Sequence, residues 1–110
     1  MKPDKLLSEM SPEELKLEME RLKQRGLELF EAGDYEEAMV LRTRWYLAAS
    51  YLMDPKTIEV GGEYFIEGEP GGVFAVSHLD GVMAHGTLSN KPGVPLAYPI
   101  AMLTKEPPVE

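Results

Sequence analysis

The chain has 110 residues, 44% of them hydrophobic and 27% charged, with a net charge of −8 and no cysteine. That length supports one domain, or two small modules, with a modest core. The absence of cysteine excludes disulfides, thiolate chemistry and Cys-based zinc sites. Acidity is even across residues 1–55 and 56–110, so a phosphate-tracking basic surface is not expected.

Residues 1–10 hold Leu6-Leu7 as their only apolar pair and meet acids at once. A secretory signal, a membrane span and a membrane partner are therefore not expected, and the expected location is cytoplasmic. Ser11-Pro12-Glu13-Glu14 is a helix start. Ser11 and Glu14 have the spacing of a reciprocal capping box, and Pro12 takes the first-turn position where no amide donor is needed. Met10 and Leu15 flank it as a hydrophobic staple. Leu15, Met19, Leu22, Gly26 and Leu29 then form one apolar stripe, with Phe30 at its edge. Gly26 on that stripe signals either close approach of another helix or simply a weaker helix.

Ala32-Gly33-Asp34 breaks the helix, with Gly33 as a left-handed terminator and Asp34 as the next cap. So short a break predicts antiparallel helices. The second helix is expected from about Tyr35 to Met53. Ala38, Leu41, Trp45, Ala49 and Leu52 make one stripe, with Trp45 expected in the core. Val40, Leu47 and Tyr51 make a second on the opposite side. A helix apolar on two sides has to be covered twice, so Val40, Leu47 and Tyr51 are the candidate face for packing against the β unit or for a homodimer. Gly33 to Ala38 has the look of a tetratricopeptide turn, but a single copy cannot build a repeat stack.

After Asp54-Pro55 the pattern changes to alternation and short apolar bursts between glycines and prolines. Strands are expected over 63–67, 73–79, 82–88, 96–98 and 102–104, with a loop over 68–72 and Asp80-Gly81 as a two-residue hairpin turn. In that register Val73, Ala75, Ser77, Leu79, Val82, Ala84, Gly86 and Leu88 share one face, expected inside. Phe74, Val76, His78, Met83, His85 and Thr87 share the other. Residues 106–110 read as a frayed tail. The expected fold is α+β: an antiparallel helical hairpin over 1–55, packed on a five-stranded SH3-like β-barrel over 56–110.

Ser11-Pro12-Glu13-Glu14-Leu15, Tyr51 to Pro55, Val60-Gly61-Gly62-Glu63-Tyr64, Leu79 to Gly86 and Leu96 to Ile100 together resemble the YfhH-like family, small uncharacterised proteins of Gram-positive bacteria. The resemblance spans roughly residues 9 to 105 and implies a helical pair against an SH3-like barrel. It implies no catalytic residues, because the family's function is unassigned. At positions 78 and 85, where the family is expected to carry aromatic residues, this chain has histidines.

His78 and His85 are the only histidines. With Glu63 or Glu67 they would make a metal site, weighed against a plain packing surface. Ser77 and His78, adjacent on a strand, are expected on opposite faces and so are no nucleophile–base pair. Glu67 and Glu69 read as solvated carboxylates, and Gly68 to Gly72 lacks the residues of a phosphate loop. Lys23, Arg25, Arg42 and Arg44 read as partners for Glu20, Glu28 or Glu37. No cofactor, metal or catalysis is expected. The expectation is a binding or adaptor protein for a protein or peptide partner, with Tyr64, Phe74, His78, Met83 and His85, and the loop at Pro70, as the ligand surface. An RNA- or ribosome-associated role is the alternative, disfavoured by the acidity, and a structural homodimer is the third reading.

Overall fold

A computed structural model describes residues 5–106, and the side chains of residues 69–71 are left aside. Residues 107–110 of the expected C-terminal tail, and residues 1–4, lie outside the described residues. The fold is α+β, with two helices and a five-stranded antiparallel sheet. The chain divides into two compact units between Leu52 and Met53.

In the first unit, helix α1 spans Pro12–Glu31 and α2 spans Tyr35–Ser50. The capping box forms as its spacing requires. The Ser11 amide donates to Glu14 Oε1 at 2.9 Å, and the Glu14 amide donates to Ser11 Oγ at 3.2 Å. Lys5 adds an ion pair to Glu14 at 2.8 Å. These contacts hold the Glu14 carboxyl at about 2, below its ordinary 4.5; the Lys5 hydrogen bond is the largest cause and the Ser11 amide the next helpful one.

Helix α1 ends in a Schellman motif. Gly33 has φ +85°, its amide donates to Phe30 O at 3.0 Å, and the Asp34 amide donates to Leu29 O at 2.8 Å. The expected Asp34 side-chain cap does not form; Asp34 serves through its carbonyl, which accepts from the Ala38 amide at 3.1 Å. Gly26 is in ordinary contact with its neighbour, a Cβ there standing 4.0 Å from Leu41 Cβ. Glu18 binds Arg21 at 2.6 Å and receives Arg44 of α2 at 3.7 Å, and Arg25 binds Glu28 at 3.4 Å. Arg42 instead lies over the Tyr46 ring, 4.9 Å from its centroid.

On the second apolar stripe of α2, Val40 is 61% exposed in the single chain, and Tyr51, just past the end of the helix, is 40% exposed. Leu47 is half-buried because it packs on a cluster of Leu7, Leu15 and Ala48, together with Met10 and Met19. Leu7 comes from a 3-10 turn, Leu7–Glu9, that the sequence reading passed over. Trp45, expected in the core, is only half-buried, edge-on to Tyr46 at 5.1 Å between ring centroids. Leu22, at 1% exposure, is the closed centre of the interface.

In the second unit, β1 spans Glu63–Ile66, β2 Glu69–Asp80, β3 Met83–Leu88, β4 Leu96–Pro99 and β5 Leu103–Thr104. The sheet order is β4-β3-β2-β1-β5, with a 3-10 turn, Ile100–Met102, between β4 and β5. Among the described residues no ladder joins the two ends of that order. The expected loop over 68–72 is not one. Gly68, with φ +84°, turns the chain straight into β2, and Ile66 pairs with Glu69.

The hairpin turn is Gly81-Val82 rather than Asp80-Gly81, since Asp80 pairs with Met83. Gly81 carries φ +60° while Val82, like every non-glycine among the described residues, has negative φ, which is the II′ arrangement that matches strand twist. The register then shifts once more. Val76 pairs with Gly86 but His78 pairs with His85, leaving Ser77 as an extra residue.

The bulge reverses the expected faces on β2 up to Ser77, while the new turn, moving each partner by two, leaves the faces near it as expected. Phe74, Val76, Ala84, Gly86 and Leu88 are buried, while Ala75, Ser77 and His78 are exposed. Phe74 is at 0% exposure, with its ring edge-on to Tyr98 at 5.2 Å. Gly86 is the close-approach point. A Cβ there would overlap the Ala75 carbonyl and reach within 3.1 Å of Phe74 Cζ.

Candidate functional site

Of the five residues expected to form a ligand surface, the structure keeps three on one side and withdraws two. Phe74 is core, as the reversed register requires. Tyr64 is 4% exposed. Its hydroxyl accepts from the Glu59 amide at 2.9 Å, and Lys105 Nζ caps its ring 4.1 Å from the centroid. A phenol held at its oxygen and covered on its face has no surface left to offer. His78 is exposed, and Met83 and His85 are half-exposed.

The turn at Gly81-Val82 sets His78 directly opposite His85 on the outer face of β2 and β3. Their rings are 6° from parallel, with centroids 4.5 Å apart. The bulge next to them turns Ser77 to the side of His78, against the expectation that adjacent strand residues diverge. Ser77 Oγ donates to the His85 carbonyl at 3.0 Å and lies 3.2 Å from His78 Nδ1. A hydroxyl has one proton. With that proton given to the carbonyl, Ser77 Oγ is left to accept from an Nδ1–H of His78. This is the reverse of a serine activated by a histidine base, which needs the hydroxyl proton directed at the imidazole.

Around the pair lies an open pocket of about 650 Å³. Its floor is Ala75, Gly86 and Thr87, and its far wall is Pro95, Leu96 and Ala97 before and within β4. None of its lining residues is a carboxylate, a lysine or an arginine. Glu63 and Glu67 do not join the histidines, and among the described residues no group of three or more His, Cys, Asp or Glu is placed to hold a metal ion.

The bulge was missed by sequence reading, yet it has a signal. Val76 and Leu79 are apolar and separated by two polar residues, so strict alternation cannot put both inside. One extra residue between them does. Among the described residues no helix is long and apolar enough to cross a membrane.

Comparison with known proteins agrees with the resemblance drawn from the motifs. A family model described as protein of unknown function (DUF1811) matches residues 5–104. The chain is 30% identical over 103 residues to the "Uncharacterized protein YfhH" of Bacillus subtilis (strain 168), covering 94% of this chain and 98% of that protein.

Proposed function

The chain belongs to the DUF1811 family of proteins of unknown function, and from that premise we propose a non-catalytic binding protein that takes a peptide or protein segment in the His78–His85 pocket. The observation that carries this reading is the pocket itself. It is concave and mostly apolar, with a few convergent polar groups on a rigid sheet, which is the usual make-up of a recognition site. His78 Nε2 and the Thr87 hydroxyl supply the polar groups, and the outer face of the His78 ring offers a planar stacking surface.

The unit carrying the pocket is an SH3-like barrel in this reading. The antiparallel order β4-β3-β2-β1-β5, built of short strands with a 3-10 turn before the last, supports that reading. A twelve-residue β2 with register shifts toward both ends suits a strand bent between two half-sheets. A peptide fits better than RNA, because the lining supplies no cation for phosphate. Ser77, whose hydroxyl donates to the His85 carbonyl, is not arranged as a nucleophile, which supports the non-catalytic reading. A cysteine-free chain of this kind suits the cytoplasm.

The test compares immobilised wild type with His78→Ala/His85→Ala, both on exposed or half-exposed positions. Each is incubated with native lysate, and retained proteins are identified by mass spectrometry. The best hit is then reduced to peptides for calorimetry. A peptide bound by wild type and lost in the variant, with thermal stability unchanged, supports the reading. Equal retention by both forms, or salt-sensitive retention of RNA in its place, overturns it.

A further inference from the structure

The helical unit carries an apolar groove that its own fold leaves open. Gly26 and Ala38 make its floor, Leu22 and Trp45 close one end, and the groove measures about 480 Å³. Toward the hairpin tip its walls rise into exposed side chains: Leu27 is 53%, Phe30 59% and Met39 54% exposed. Phe30 also meets Tyr35 across the turn at 5.0 Å between centroids, so these residues form one continuous surface. Large apolar side chains gathered and exposed in one groove are the make-up of an interaction surface.

The charges around the groove say what covers it. Lys23 and Arg42 line its inner end. Glu31 and Glu36 are exposed at its tip, one turn beyond Leu27 and one turn before Met39. The groove is therefore basic at one end and acidic at the other. An all-acidic or all-basic ligand would be repelled at one end. A second copy laid antiparallel on the same groove places each acidic tip against the partner's basic end, and does so twice. Self-complementarity of one patch is what a two-fold dimer requires.

We infer that the protein forms an antiparallel homodimer through the α1–α2 groove, with Phe30 and Met39 of each copy seated at the Lys23–Arg42 end of the other. This is a different face from Val40, Leu47 and Tyr51, and it is independent of the histidine pocket.

Sedimentation velocity of the full chain over a range of concentration and salt tests this. Wild type shifts from monomer to dimer with concentration, and the shift weakens as salt rises. Phe30→Asp/Met39→Asp stays monomeric, with its helical circular dichroism intact because both positions are exposed. Lys23→Glu/Arg42→Glu and Glu31→Lys/Glu36→Lys each self-associate about tenfold or more weakly than wild type. Mixed together, those two variants regain the dimer, because reversed ends then meet. A wild type that stays monomeric up to its solubility limit overturns the inference. So does a dimer that survives Phe30→Asp/Met39→Asp, or a mixture that stays monomeric.

Discussion

His78 and His85 stack across β2 and β3, 4.5 Å apart and 6° from parallel, where the turn at Gly81-Val82 sets them opposite one another. Ser77, the residue squeezed out of the ladder beside them, ties the pair together by bonding His85 O and approaching His78 Nδ1.

Ser77→Ala removes both contacts. The expected cost is about 1 kcal/mol in chemical denaturation, the usual net worth of a partly exposed hydrogen bond. The more specific outcome is spectroscopic. Nitrogen shifts of His78, which report Nδ1–H in wild type, move toward a mixed tautomer population in the variant. Unchanged His78 shifts would show that Ser77 does not orient the ring.

Gly86→Ala is expected to destabilise by about 3 kcal/mol or more, at the high end for overpacking. The new methyl meets a backbone carbonyl, that of Ala75, which cannot step aside without opening the β2–β3 ladder. Urea unfolding checks this, and a loss under about 1 kcal/mol would show that the strands separate freely at that point.

Gly26→Ala acts in the opposite sense. The added methyl stands 4.0 Å from Leu41 Cβ, an ordinary contact in a helical residue. The gain in helix propensity of about 0.5–1 kcal/mol should raise the midpoint of unfolding. A fall in the midpoint would mean that α1 and α2 approach more closely than this spacing.

Leu22→Ala and Trp45→Ala rank the helical core. Leu22 is closed on all sides and should cost about 3 kcal/mol. Trp45 is half-buried, so about 2 kcal/mol is expected, below the cost of a fully buried tryptophan. A larger loss for Trp45 than for Leu22, in the same denaturation series, contradicts this ordering.

Glu14 sets an acid limit on the start of α1. Its carboxyl is at about 2 when folded and 4.5 ordinarily, so the folded state favours the charged form. That contribution is whole above pH 4.5 and is lost as pH falls toward 2. Carboxyl chemical shifts of Glu14 should titrate near 2 in wild type and move upward in Lys5→Ala. No change in that variant would remove Lys5 as the main cause.

Much of this protein is local and therefore written plainly in its residues. The capping box at Ser11-Glu14, the Gly33 terminator, the change of period at Asp54-Pro55 and the five short strands depend on neighbours a few positions away. Propensity and spacing determine them before any tertiary contact forms. What touches what across strands is another matter. A shift of one residue exchanges the two faces of a strand, and the bulge at Ser77 supplies such a shift, which buried Phe74 and Val76. The turn at Gly81-Val82 moves each partner by two, which keeps the faces and sets His78 opposite His85. Likewise Leu47 owes its cover to Leu7, forty positions away in the chain. Packing between distant segments chose these outcomes, because the free energy of closing a core outweighs the small local preferences that a linear reading can weigh.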